Sequence, residues 1–145
     1  MDTYKTINDI LVHLFKEIWE LEEKAIITEE FSDITNNDMH IIEAVGLEGN
    51  QTMSVIAKRL NITAGSLTTS MNNLVKKRYV TRERSEEDRR VVYINLTPKG
   101  EKAFKHHADF HEKMTLSVMN QLSAEEVPVL LKTLDGLDKF FKSYR

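Results

Sequence analysis

The stretch from Thr52 to Val80, TMSVIAKRLNITAGSLTTSMNNLVKKRYV, constrains this chain more than any other. Thr52 is placed to cap a short helix whose inward residues are Val55, Ile56 and Leu60, because a threonine hydroxyl can accept an otherwise unpaired N–H of the first turn. Residues 61–63 then make a tight turn, and Thr63 can cap a second helix running to about Arg78. On that helix Leu67, Met71 and Leu74 share one face at offsets of four and three. Two short helices with a three-residue turn predict a helix-turn-helix.

The next segment narrows the fold further. Residues 80–84 and 91–96 are β-rich runs joined by the polar segment 85–88, so they read as a hairpin. Thr97 and Pro98 begin another helix, threonine as cap and proline at the first helical position. Phe104, Ala108, Met114 or Thr115, Val118 and Leu122 continue it, and Ser123 begins the last helix, ending near Tyr144. Upstream, Ile7, Ile10, Leu11, Leu14, Phe15, Ile18 and Leu21 predict a long amphipathic helix over roughly residues 4–28. Thr35 with Asp38 makes a capping-box variant before a helix carrying Met39, Ile42 and Val45, which Gly46 and Gly49 end. A helix-turn-helix followed by a β-finger is a winged helix. The expectation is a mainly α fold with a small β-wing, one domain over residues 1–145. Residues 34–100 or so form the winged-helix lobe, and 1–31 and 101–145 are dimerisation helices.

Charge says what the lobe could meet. The net charge of −3 is uneven: residues 1–57 hold 3 basic and 12 acidic side chains, 58–102 hold 11 and 5, and 103–145 hold 6 of each. Only the middle third suits a polyanion. No apolar run approaches the roughly 18 residues a membrane span needs. The first residues lack the basic start and apolar stretch of a signal peptide. With no cysteine, disulfide and thiolate chemistry are excluded, which suits a cytoplasmic protein.

The face of the second helix opposite Leu67 presents Ser66, Thr68, Thr69, Asn72 and Asn73, with Lys76 and Lys77 beyond. Serine and threonine are mediocre helix formers, so a stable solvent face would favour other residues. Small hydroxyl and amide groups there can touch base edges and phosphates. In the wing, Arg84, Arg89 and Arg90 surround an acidic turn. Arg90 at the tip could enter a narrow, A·T-rich minor groove, with Asp88 aiming it.

These residues resemble the MarR family of bacterial transcriptional regulators over nearly the whole chain. DRRVVYINLTPKG fits the family wing, an Asp, any residue, an Arg, then an alternating strand ending in Leu-Thr and a Gly; Asp88 and Arg90 are the Asp and Arg of that pattern. TTSMNNLVKKRYVTRERSEEDRR looks especially like the FabT-type fatty-acid-synthesis repressors. The resemblance implies a homodimer on pseudo-palindromic duplex DNA, with long-chain acyl–acyl carrier protein as corepressor and no required cofactor. One departure is Arg78, where the family usually has Gly at the end of the recognition helix; a left-handed residue there would strain arginine. Dimerisation has independent support. The last helix carries Val127, Leu130, Leu131, Leu134, Leu137, Phe140 and Phe141, more apolar surface than one small lobe covers. Pairing the ends across a two-fold axis would set two recognition helices about 34–36 Å apart.

The histidines open a second possibility. His107 and His111 stand one helical turn apart, a spacing that suits zinc. In the family's zinc-sensing branch a Glu of the first helix, a His of the second and this His pair bind the metal; the matching positions are Glu22, His40, His107 and His111. A second family site needs a cysteine that is absent here. The same residues could equally form a buried polar network, and His13 and His106 fit no such pattern. Candidates to line an apolar effector crevice are Ile18, Trp19, Ile26, Met39, Ile42 and Phe110, although core packing explains each as well. The functions to separate are an acyl-chain-responsive repressor, a zinc-responsive regulator of metal uptake and, more distantly, a metal-dependent hydrolase, for which no HExxH, nucleophile–base pair or phosphate loop is found.

Overall fold

A computed structural model describes residues 2–26, 28 and 30–144, without the side chain of Ile26. In chain order the elements are α1 (Thr3–Ile26), α2 (Asn36–Val45), β1 (Gln51–Thr52), α3 (Met53–Leu60), α4 (Ala64–Lys76), β2 (Val80–Arg84), β3 (Val92–Leu96), α5 (Pro98–Met119) and α6 (Val127–Lys142). The architecture is mainly helical with a small antiparallel sheet of order β1-β3-β2. The chain divides into two compact units, residues 1–108 and 109–145. Among the described residues no helix is long and apolar enough to cross a membrane.

Local chemistry fixes the helix starts. Thr35 accepts the Asp38 N–H while Asp38 accepts the Thr35 N–H, closing the capping box on α2. Thr52 and Thr63 accept the N–H groups of Val55 and Ser66. Asn61 ends α3 in the left-handed region at φ 53°, where a short polar side chain is tolerated. Thr97 accepts the Gly100 N–H at the start of α5.

The core of the first unit is Met39, Ile41, Ile42, Val45, Ile56, Leu67, Met71, Leu74, Tyr79, Val80 and Ile94, all essentially without exposure. It places the spacing-derived face of α4 inward, as expected. Three expectations need correcting. Val55 is exposed rather than inward, and only Ile56 and Leu60 of that set turn toward the core. The last helix begins at Val127, with Pro128 in its first turn where no N–H is needed; residues 124–126 form a turn closed by Ser123 N–H to Glu126 Oε1 at 3.0 Å. The sheet also has a third strand: Gln51 and Thr52 pair with Ile94 and Tyr93.

Outside that core the picture reverses. On α1, Ile7, Ile10, Val12, Trp19 and Leu21 are exposed, and α6 buries no residue at all.

Candidate nucleic-acid interface

The recognition face depends on how α4 ends. Lys77 caps the helix, Arg78 adopts φ +67°, and the chain returns with Arg78 N–H to Val75 O and Tyr79 N–H to Leu74 O, both about 3 Å. This is a Schellman closure. Arg78 therefore occupies a left-handed position of the kind that favours glycine. The surroundings hold it there: Thr97 Oγ1 donates to the Arg78 carbonyl at 2.6 Å, and Lys99 Nζ to the Lys77 carbonyl at 3.2 Å. Lys99 also lies 4.3 Å over the Tyr79 ring, and the Tyr79 hydroxyl donates to Asp33 Oδ1 at 2.6 Å. Close packing completes the junction, since a Cβ on Gly100 would meet the Tyr79 carbonyl oxygen at 2.1 Å. These contacts set the exit into the wing despite the strained arginine.

With Leu67, Met71 and Leu74 buried, Ser66, Thr68, Thr69, Asn72, Asn73 and Lys76 all stand exposed on α4. Thr68 and Thr69 hydroxyls donate back to the carbonyls of Ala64 and Gly65, so each oxygen keeps the capacity to accept a hydrogen bond. Lys77 is turned aside, its Nζ 3.0 Å from Asp38 Oδ2, so it braces α4 against the start of α2.

In the wing, Arg90 donates from Nε and an Nη to the two oxygens of Asp88 at 3.0 and 3.1 Å, and its N–H also binds Asp88. The Arg90 side chain is 91 % exposed, so this fork aims a guanidinium into solvent. The same hydrogen bonds hold the Asp88 carboxyl below the usual carboxylate range. Arg84 donates to the Arg89 carbonyl at 2.9 Å and stiffens the loop. The expected helix residues share one face and Arg84, Asp88, Arg89 and Arg90 share the wing. Between them lies a hollow of about 440 Å³ lined by Met53, Thr68, Arg82, Arg84 and Val92.

Arg82, outside the set expected from the sequence, also lines this hollow. Its Nη1 donates to Asn72 Oδ1 at 2.6 Å. The period-two spacing of β2 held the clue, because the alternation that brings Arg84 to this side brings Arg82 too.

The histidine set is partly assembled. His107 is 2 % exposed, with Nε2 2.8 Å from Glu22 Oε1 and Nδ1 3.5 Å from Glu43 Oε2. His40 Nε2 approaches the same Glu22 oxygen at 3.6 Å. Glu43 had no place in the expected set; its contact joins residues far apart in sequence. His111 follows one turn later on α5, in the second compact unit. A carboxylate and two imidazoles suit zinc by donor type, yet the Glu22–His107 contact also satisfies both groups as a hydrogen bond.

The effector-crevice set does not hold together. Met39 and Ile42 have no exposed surface, because they fill the core, so they line no crevice. Trp19 is 57 % exposed, Ile18 and Phe110 are half-buried, and the side chain of Ile26 lies outside the described residues.

Comparison with known proteins places the fold in a family. Residues 32–91 match the MarR family. The chain is 31% identical over 133 residues to the HTH-type transcriptional regulator YpoP of Bacillus subtilis (strain 168), covering 90% of this chain and 89% of that protein. Among solved structures it is similar to Streptococcus pneumoniae FabT in complex with DNA, at 37% identity and a TM-score of 0.86, over 98% of this chain and 99% of that one. A MepR–DNA complex from S. aureus matches at 26% identity and a TM-score of 0.66, over 91% and 96%. The chain belongs to the MarR family: it is a DNA-binding winged helix-turn-helix transcriptional regulator, and not an enzyme.

Proposed function

We propose that this regulator is a homodimeric repressor of fatty-acid biosynthesis genes, with acyl–acyl carrier protein as corepressor. The observation that carries the DNA part is the exposed set Ser66, Thr68, Thr69, Asn72 and Asn73 beside a wing whose Arg90 is aimed by Asp88. In this reading residues 34–100 are the DNA-binding lobe, and residues 1–31 and 101–145 pair two copies through the apolar faces of α1 and α6. The α4 side chains read base edges in the major groove, Lys76 holds phosphate, and Arg90 enters the flanking minor groove of an A/T-rich, pseudo-palindromic site. The likeness to FabT supports the fatty-acid assignment. A corepressor would act by favouring the dimer geometry whose two α4 helices match one DNA turn.

The test is selection of duplexes from a random library, then affinity with and without acyl–acyl carrier protein. A palindromic site bound more tightly when the acyl protein is present supports the proposal; indifference to it removes the corepressor. Arg90→Ala should weaken binding about tenfold and lower its salt dependence.

A second reading makes zinc the effector, favoured by the convergence of His40 and His107 on Glu22. Glu22, His40, His107 and His111 would be the ligands, and the ion would supply the cross-link that orders α1, α2 and α5. Stoichiometric zinc in the purified chain, lost in His107→Ala, would favour it over the acyl reading.

A further inference from the structure

Asn72 and Arg82 meet where α4 packs beside β2. Both side chains are exposed, and the Arg82 Nη1–H donates to Asn72 Oδ1 at 2.6 Å. An asparagine amide is nearly symmetric in shape but opposite in chemistry at its two ends, oxygen accepting and NH₂ donating. The torsion that exchanges them is broad and roughly two-fold, so a free Asn72 could offer either end to DNA. With a guanidinium on the oxygen, the flipped amide would set two donors and a cation against each other. The strand therefore fixes the sense of the amide on the helix.

We infer that Arg82 is a positioning residue for base reading: it holds Asn72 with Nδ2 toward the major groove, so that Asn72 demands a hydrogen-bond acceptor there. Purine N7, guanine O6 and thymine O4 supply one, whereas the cytosine edge presents an N4–H donor and is refused. Arg82 stands in β2 between buried Val80 and the wing residue Arg84, on the hollow shared with Thr68, which suits a brace linking wing and helix. The inference rests on the proposal that α4 reads bases.

The test uses the full-length chain and a randomised duplex library, comparing the base preferences of wild type, Asn72→Ala, Arg82→Ala and the double variant. Thermal melting checks folding, which two exposed positions should leave intact. Asn72→Ala should relax one position of each half-site, losing about tenfold of discrimination. Arg82→Ala should relax that same position by a similar factor, and the double variant should lose no more there than either alone. Two results would overturn the inference while sparing the base-reading face. In one, Arg82→Ala weakens all duplexes equally and lowers the salt slope by about one, the mark of a phosphate contact. In the other, it relaxes a different position, the mark of direct reading. Unchanged preferences in Asn72→Ala would remove the underlying reading of α4, and this inference with it.

Discussion

From α2 to β3, the side chains of Met39, Ile42, Ile56, Leu67, Met71, Leu74 and Ile94 are closed off from water, whereas on α6 Val129, Leu131, Leu134 and Phe140 remain more than half exposed. α1 resembles α6 in this, with Ile7, Ile10, Val12 and Trp19 also more than half exposed. Burying one such side chain is worth about 1.5–3 kcal/mol. The lobe has therefore collected its hydrophobic stabilisation within one chain. The terminal helices leave theirs exposed, apolar surface that the proposed dimer would bury.

The contrast can be broken at either end. The largest effect should come from Leu134→Asp, which puts a carboxylate on the apolar face of α6. A monomer by sedimentation, with affinity for the selected duplex down at least about 100-fold through lost bivalency, is the expected outcome. An unchanged dimer would mean that α6 does not pair the copies. Inside the lobe, Leu74→Ala should cost about 2–5 kcal/mol in urea unfolding, from lost burial and the cavity left behind. That loss should not vary with protein concentration, unlike any loss caused at α6.

A smaller effect sharpens the account of the junction. Tyr79→Phe deletes the donor to Asp33 and should cost about 1 kcal/mol at neutral pH. Burial, and then the bond to Asp33, raise the Tyr79 hydroxyl above its ordinary value. Its contribution is whole below about pH 10 and fades as pH rises through the raised value. The Tyr79 hydroxyl, followed in part by Lys99, lowers the Asp33 carboxyl, so that share is present above about pH 4 and fades as pH falls through the lowered value. Stability curves of wild type and Tyr79→Phe should therefore converge at both extremes, and a constant gap would contradict this coupling. Smallest of all, Arg78→Gly should stabilise the chain by less than about 1 kcal/mol, since relief of the left-handed arginine is partly offset by the entropy of a more flexible unfolded chain.

Sequence spacing revealed most of the lobe because its determinants are local. Thr35, Thr52 and Thr63 announce helix starts, and Leu67, Met71 and Leu74 announce a face, all within four residues of their partners. Residues that act across distance stayed hidden. Gln51 and Thr52 are too short a run to show strand alternation, and pair only because β3 lies beside them. Glu43 against His107 and Arg82 against Asn72 join separate elements, so neither could be read along one helix or strand. Met39 and Ile42 show the reverse error: apolar residues at helical spacing are the same whether they line a ligand or fill a core, and here they fill the core.

The most direct measurement is the mass of the complex between the intact chain and one selected operator duplex. Two chains on each duplex, with binding lost when the half-sites are moved apart by half a helical turn, is the result the proposed dimer predicts. One chain per duplex, indifferent to that spacing, would contradict it.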